Sequence, residues 1–309
     1  MKRISIVTPC FNEVDNISII YKQVKSVLST IENISYEHIF IDNNSTDGTR
    51  ELLRELSKLD ANVKLILNSR NFGPIRSPYY GLMQANGDAV ILIVADLQDP
   101  PELIRAFIDS WLDGYKIVIG VKKSTEEKGI ISHIRRLYYY LITKISDVEL
   151  IKNYTGYGLY DKSVIDMLRD LDVSYPYFRG LISEIGFPIK RIPYFQPLRK
   201  IGKTKYSFYN LYQVAALGIT SHSLIPLRLA TFSGFFVSIV SLIIALIYLI
   251  LKIFYWNSFP LGIASILIAI FFFAAIQLFF IGILGEYIGS ILIQSKKFPM
   301  VVELERVNF

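Results

Sequence analysis

The side chains best suited to chemistry lie in the run VADLQDPP at residues 94–101. The preceding residues 88–93 are apolar and β-branched, which is typical of a buried strand. Asp96, Gln98 and Asp99 would therefore lie where that strand ends, at the edge where open α/β sheets bind ligands. Such oxygen ligands suit Mg²⁺ or Mn²⁺ holding a diphosphate. The alternative is that Asp99 caps a helix with two prolines in its first turn, which is compatible with Asp96 and Gln98 as ligands.

Three earlier polar loops follow strands in the same way. They are PCFNE (9–13), DNNSTDGT (42–49) and NSRNFG (68–73), after strands predicted at 3–8, 38–41 and 63–67. Helices are predicted at 16–31, 47–58, 74–85 and 101–111, and a fifth strand at 116–121. This alternation predicts an α/β fold with a doubly wound, mostly parallel sheet. Four polar loops would then lie at one edge of that sheet.

In this order and spacing the four loops closely resemble those of family-2 glycosyltransferases of the GT-A fold. The longer match DLQDPPELI at residues 96–104 points to the polyprenyl-phosphate sugar transferases, a subgroup that includes dolichyl-phosphate mannose synthase. The resemblance covers nearly the whole chain. It implies a metal-dependent, inverting transferase that moves a sugar from a nucleotide-sugar donor to undecaprenyl or dolichyl phosphate at the cytoplasmic membrane face.

The resemblance also assigns donor-binding residues. The nucleotide is expected to lie against Pro9, Asn12, Glu13 and Asp42. Carboxylates at strand ends can accept hydrogen bonds from a base imide and from ribose hydroxyls, and Asp42 is expected to be the main contact. Asp96, assisted by Gln98, is expected to bind the Mg²⁺ or Mn²⁺ that bridges the donor diphosphate. Asp47 is expected to cap the following helix.

Basic residues farther along the chain are expected to contact phosphates. Arg199 and Lys205 belong to the spacing RxxGxTKY at 199–206, which matches a family motif. They would neutralise the leaving diphosphate or grip the lipid phosphate, which makes them the catalytic candidates together with Asp96. Arg135, which follows a polar loop at 122–132, is a second candidate for binding the donor.

Two segments depart from the family pattern. The aspartate that usually stands two residues before Asp96 is Val94 here, so the metal is expected to be held more weakly. Many relatives carry Gly-Asp-Phe-Arg where this chain has TGYG at 155–158, so no catalytic base is assigned there, and Asp161 is expected to be structural. A phosphate acceptor could react without a base, because its second pKa lies near ~6 and it is largely dianionic at neutral pH.

Two uncharged stretches predict membrane helices, because residues 229–251 and 259–285 each exceed the ~20 residues needed to cross a bilayer. Basic residues flank the pair outside, at Arg228 and at Lys296 and Lys297, which puts both termini and the catalytic domain in the cytoplasm. The predicted division is a GT-A domain at 1–200, juxtamembrane amphipathic helices at 201–227, a two-helix transmembrane hairpin at 228–290 with spans at about 229–251 and 261–285, and a cytoplasmic tail at 291–309. An interfacial helix is expected at 206–226.

Composition narrows the remaining classes of function. The net charge of +6 is modest and no nucleic-acid-binding motif is present, so nucleic acid is not an expected partner. The lone Cys10 fits a reducing compartment and is interpreted as a packed side chain rather than a nucleophile. Expected partners are the nucleotide-sugar donor, the polyprenyl-phosphate acceptor and the bilayer, and the sequence is compatible with a homo-oligomer.

Two other functions stay open. One is a transferase with a different lipid or glycan acceptor, although the Gln-x-x-Arg-Trp motif of processive synthases is absent. The other is a weakly catalytic, membrane-anchored nucleotide-sugar binder, which the Val94 and Gly156 departures favour. An NAD-linked oxidoreductase is disfavoured, because no Gly-x-Gly-x-x-Gly follows the first strand.

Overall fold

The computed structural model describes residues 1–123, 151–171, 173, 175–197, 223–254, 263–296 and 298–309. Their strands are β1 (Lys2–Cys10), β2 (Ile34–Asp42), β3 (Val63–Asn68), β4 (Ala89–Leu92), β5 (Ile117–Lys122), β6 (Tyr154–Asp161), β7 (Ile189–Tyr194) and β8 (Glu303–Val307). Their helices are α1 (Val14–Ser29), α2 (Thr49–Leu59), α3 (Gly73–Gln84), α4 (Leu103–Leu112), α5 (Lys162–Asp170), α6 (Phe178–Glu184), α7 (Ile225–Phe254) and α8 (Ile263–Ser295).

The strands form one mixed sheet in the order β7-β5-β6-β4-β1-β2-β3-β8. β1 is parallel to β2 and β4, β2 is parallel to β3, and β5 is parallel to β7. β6 runs antiparallel to β4 and β5, and β8 runs antiparallel to β3. Six strands therefore point the same way, and their carboxyl ends meet at one edge, as expected of the mostly parallel sheet. We call this edge the site edge.

Helices cover both faces of the sheet, which is why β3 and β4 are buried along their whole lengths. On one face, α1 and α4 contribute Ile17, Ile20 and Phe107 to the core. On the other face, α3 and α5 contribute Leu82 and Ile165. The two cores fix the strands, and the strands in turn position the loops at the site edge.

The last residues of the chain complete the sheet instead of forming a separate tail. The sequence predicts a tail at 291–309, whereas Glu303–Val307 pairs with β3 as β8. The Arg54 guanidinium on α2 lies 2.7 Å from the Glu305 carboxylate. The side-chain amide of Asn308 donates to one backbone carbonyl in α2 and one in β3, both at 2.8 Å. The end of α8 is thus linked back to the same domain that contains β1.

Two long helices lie between β7 and β8. Within the described residues, the stretch Phe272–Ser295 of α8 is long and apolar enough to cross a membrane, with a mean hydropathy of 1.9, and its side chains are almost wholly exposed. The apolar stretch Ile225–Ser241 of α7 is shorter. The predicted second span ended near Gly285, before the charge of Glu286, but the helix continues past that charge to Ser295. Residues 206–222 of the predicted interfacial helix lie outside the described residues.

Candidate active site

The loops after β1 and β2 are joined at the site edge. The Asn12 backbone N–H donates to Ser45 Oγ at 2.8 Å, and the Asn12 side chain accepts from the Thr46 N–H at 2.7 Å. Asn12 has a left-handed backbone (φ 53), which asparagine tolerates better than most residues. Pro9, at the end of β1, lies in register beside Ile41 of β2. The structure therefore brings these predicted nucleotide contacts next to the Asp42 loop.

Glu13 and Asp47 fix the starts of the first two helices. Asp47 accepts hydrogen bonds from the N–H of Thr49, the first residue of α2, at 3.1 Å and from the N–H of Val14, the first residue of α1, at 3.2 Å. Asp47 was expected to cap only α2, and its carboxylate accepts hydrogen bonds at the start of both α1 and α2. The Glu13 carboxylate accepts from the Asn16 side chain at 2.6 Å. Because negative charge is favourable at helix amino termini, both carboxylates suit these positions.

Asp42 is fully buried at the end of β2. Its Oδ2 accepts from Arg50 Nε at 2.7 Å and from the Ser45 N–H at 3.0 Å. Its Oδ1 is buried without a hydrogen-bond partner among the described residues. A buried carboxylate oxygen without a donor is costly, so this oxygen is an available acceptor. Arg50 was not selected from the sequence, although it directly follows the polar loop at 42–49.

The loop between β4 and α4, residues 93–102, contains both predicted metal ligands. Asp96 Oδ1 accepts from the Gln98 backbone N–H at 3.1 Å, and both residues are half-buried. Leu97 between them has a left-handed backbone (φ 58) that is rare for a bulky residue, and its side chain packs against the core. Among the described residues no cluster of three or more His, Cys, Asp or Glu is present. A carboxylate and an amide oxygen still fit Mg²⁺, which is usually held by one or two carboxylates plus substrate phosphates.

Asp99 does not have the role of helix cap that the alternative interpretation gave it. After the two prolines α4 begins at Leu103, so Glu102 rather than Asp99 precedes the helix. Its carboxylate is 3% exposed and accepts from Tyr194 Oη at 2.7 Å. Burial raises the pKa of Asp99 to about 6. Asp99 therefore links the β4–α4 loop to the end of β7.

The backbone of residues 155–158 does not accommodate side chains at Gly156 and Gly158, where many relatives are expected to carry the acid and the arginine. A Cβ atom at Gly158 would lie 2.5 Å from the Val118 carbonyl oxygen, so β6 approaches β5 too closely for a side chain there. Gly156 has φ +106, which strains any other residue. Its carbonyl accepts from Tyr160 Oη at 2.6 Å. The polar groups of this segment are therefore backbone carbonyls and tyrosine hydroxyls.

Asp161 has a structural environment, as expected. Its carboxylate caps α5 by accepting from the Ser163 N–H at 2.9 Å, and it also accepts from Trp111 Nε1 at 2.8 Å. Since β6 is antiparallel to β4, Asp161 pairs with Ala89 at the edge opposite the site. The predicted phosphate contacts Arg135, Arg199 and Lys205 lie outside the described residues.

Comparison with known proteins identifies the family of this chain. Residues 5–168 match "Glycosyl transferase family 2". An uncharacterized glycosyltransferase of Bacillus subtilis (strain 168) is 35% identical over 302 residues, covering 96% of this chain and 92% of that protein. The chain belongs to glycosyl transferase family 2, as the resemblance of its loops indicates.

Two further relatives carry more specific names. The prophage bactoprenol glucosyl transferase homolog of Escherichia coli (strain K12) is 32% identical and covers 99% of both chains. The bactoprenol glucosyl transferase of Shigella phage SfV is 33% identical and covers 97% of both. Among solved structures, the mannosyltransferase PcManGT from Pyrobaculum calidifontis, in complex with GDP-Man and Mn²⁺, aligns with a TM-score of 0.47 at 16% identity, over 71% of this chain and 62% of that chain.

Proposed function

We propose that this chain is a membrane-bound, inverting glycosyltransferase that moves a sugar from a nucleotide-sugar donor to a polyprenyl phosphate at the cytoplasmic face. The observation that carries the proposal is that β7, the last described strand before α7, ends at the site edge, and that β8, which follows α8, begins at the same edge. The full-length similarity to two proteins named for bactoprenol glucosyl transfer supports the same acceptor.

The two connections follow from strand direction. β7 is parallel to β5 and so ends at the site edge, at Tyr194. β8 is antiparallel to β3 and so begins at that edge, with Glu303 beside Asn68. Eight residue steps separate Glu303 from the end of α8 at Ser295, and extended chain of that length spans at most about 28 Å. An acceptor whose phosphate lies at the membrane surface would therefore be on the same side of the sheet as Asp96.

The same connections support a two-span hairpin. Because β1 and β8 belong to one sheet, the chain between them must cross a bilayer an even number of times. Tyr287 Oη donates to the Ser223 carbonyl at 2.6 Å, so the start of α7 lies beside the last turns of α8. If α8 crosses the membrane, α7 provides the second crossing, and the flanking basic residues place the domain in the cytoplasm.

The donor would be bound by the loops after β1, β2 and β4. The unpartnered Asp42 Oδ1 can accept a base N–H, with Pro9, Asn12 and Glu13 beside it. Asp96 and Gln98 would hold Mg²⁺ or Mn²⁺, and a bound metal would neutralise charge developing on the leaving diphosphate. Arg199, Lys205 and Arg135 are proposed to hold the donor and acceptor phosphates.

The reaction does not require a base from the protein. An acceptor phosphate oxygen attacks the anomeric carbon, the bond from that carbon to the diphosphate oxygen breaks, and the nucleoside diphosphate leaves. A phosphate monoester is already largely dianionic at pH 7, whereas a hydroxyl acceptor would need a general base. The glycines at 156 and 158 are compatible with the first kind of acceptor.

The function can be tested with purified full-length protein, undecaprenyl phosphate and a panel of nucleotide sugars. We expect transfer from at least one donor, its loss in Asp96→Asn, and its loss in excess chelator with recovery on adding Mg²⁺ or Mn²⁺. Asp109→Asn is the matched control, because Asp109 is an exposed carboxylate on α4. Full activity in excess chelator would show that transfer does not depend on a metal. Transfer to polyprenol but not to polyprenyl phosphate would show that the proposed acceptor is wrong.

The topology needs its own measurement. A cysteine at Asn257, in a Cys10→Ser background, should react with an impermeant thiol reagent added outside the cell. A cysteine at Asn308 should react only after the membrane is opened. Labelling of position 308 from outside would contradict the cytoplasmic assignment.

A further inference from the structure

We propose that Tyr157 and Tyr194 are positioning residues, which hold the 93–102 loop in the conformation that presents Asp96 and Gln98. This inference rests on the proposed function, since it assigns these hydroxyls to the loop proposed to bind the metal. Neither tyrosine was selected from the sequence as a site residue.

The 93–102 loop needs hydrogen bonds from neighbouring elements, because its own backbone can form few within the loop. Two of its residues, Pro100 and Pro101, have no N–H to donate. Hydrogen bonds fix its ends, from the Ile93 N–H to the β1 carbonyl of Val7 at 3.0 Å and from the Leu103 N–H to the Pro100 carbonyl at 3.2 Å. Between these ends Leu97 is held with φ 58, a conformation that persists only where the surroundings enforce it.

Two tyrosine hydroxyls from neighbouring strands provide that support. Tyr157 Oη, from β6, donates to the Pro100 carbonyl at 2.6 Å. Tyr194 Oη, from β7, donates to Asp99 Oδ1 at 2.7 Å. The Tyr194–Asp99 bond therefore connects the 93–102 loop directly to β7. The two hydroxyls thus hold the loop from the side that faces β6 and β7.

The tyrosine rings are themselves fixed. They meet edge to face with centroids 5.8 Å apart, and the Tyr157 ring packs against Phe107 of α4 at 4.9 Å. A Cβ atom at Gly120 would lie 2.9 Å from Tyr157 Cδ1 and 3.1 Å from Tyr194 Cε1, so the glycine in β5 leaves the space that both rings occupy. Replacing either tyrosine by phenylalanine would keep this packing and remove only the hydroxyl.

The orientation of the loop should have a large effect on metal binding in this chain, because Val94 supplies no carboxylate. With Asp96 and Gln98 as its two proposed protein ligands, the site depends on their orientation, and residues that orient ligands commonly change metal affinity by tenfold or more when mutated. Tyr194 should have the larger effect, since its loss leaves the buried Asp99 carboxylate with one donor fewer.

The test uses full-length, detergent-solubilised protein with Tyr157→Phe, Tyr194→Phe and the control Tyr154→Phe. Tyr154 lies on the same strand as Tyr157 but packs in the core on the opposite face, where its hydroxyl bonds to Tyr160 at 2.5 Å. Amide hydrogen exchange of a peptide covering 94–102 should accelerate in the first two variants and not in the control. The dissociation constant for Mn²⁺ alone, from water-proton relaxation, should rise by about tenfold in Tyr194→Phe.

Unchanged exchange of the loop in both variants would overturn the proposal, and so would equal acceleration in Tyr154→Phe. Faster exchange with Mn²⁺ binding and transfer both unaltered would also overturn it, because the loop would then not need to be held. If wild-type protein transfers sugar fully in excess chelator while the loop is loosened in the variants, the metal role fails and the hydroxyls still hold the loop.

Discussion

Reversing the ion pair between Arg54 and Glu305 tests whether the end of the chain belongs to the sheet. The guanidinium donates to one carboxylate oxygen through Nε at 3.1 Å and through its terminal nitrogen at 2.7 Å. The side chains are 37% and 38% exposed, so solvent screens the pair and its contribution is about 0.5–1 kcal/mol. Arg54→Glu or Glu305→Arg replaces this attraction by repulsion, which should cost about 1–1.5 kcal/mol. For a domain of this size that corresponds to a fall in Tm of roughly 2–6 °C.

The double variant Arg54→Glu/Glu305→Arg should recover most of this loss, because it restores an opposite-charge pair between α2 and β8. Thermal melting of the full-length protein in detergent measures all four corners of the cycle. The pair Arg105 and Asp109 on α4 is the control, since both side chains are 57% exposed at 3.8 Å and their reversal should change Tm very little. Additive losses in the double variant would refute the β8 pairing, and with it the even number of membrane crossings.

Three other predictions concern positions 94, 158 and 38. Val94→Asp should lower the Mn²⁺ concentration that gives half-maximal transfer, because it adds a second carboxylate near Asp96. An unchanged half-maximal Mn²⁺ concentration would show that position 94 does not contact the metal. Gly158→Ala should lower Tm by several degrees, since its Cβ would meet the Val118 carbonyl at 2.5 Å, and a melting curve like wild type would contradict that contact. Burial lowers the pKa of His38 to about 3, so below pH 6.5 the unfolded chain binds a proton that the folded chain does not. Chemical unfolding should therefore show wild type losing about 2 kcal/mol of stability relative to His38→Gln between pH 7 and pH 5. Parallel pH profiles of the two proteins would show instead that His38 titrates normally.

The first five strands and the polar loops at the site edge could be predicted from the sequence. Local signals carry this information, because each of the first strands is a short β-branched run that ends in a polar loop. β3 was predicted at 63–67 and extends over Val63–Asn68. Pro9, Asn12, Glu13 and Asp42 were assigned through the family resemblance, and the structure places Pro9 and Asp42 at the ends of β1 and β2 and Asn12 and Glu13 just after β1.

Long-range pairing could not be predicted in the same way. β8 has five residues, of which three are charged, and alone it resembles a solvated tail. Its partner β3 lies more than 230 residues earlier, so no local pattern connects them. The contact from Tyr194 to Asp99 likewise joins residues 95 positions apart. Asp99 was interpreted through its immediate neighbours, as a helix cap, and its actual partner is on a strand that the sequence did not suggest.

The glycines of β6 connect these structural departures to the acceptor. A side chain at position 158 is excluded by the Val118 carbonyl, and one at position 156 would require a strained backbone and would meet Leu92 at 3.4 Å. The acid and the arginine of other family members therefore cannot be restored by two substitutions without moving β5 against β6. Neither position carries an acidic side chain, and an acceptor that arrives already ionised would not require one there. A lipid phosphate is such an acceptor, and the two connections at the site edge would bring the membrane surface to it. The proposed acceptor would thus account both for the two glycines of β6 and for the proposed membrane attachment.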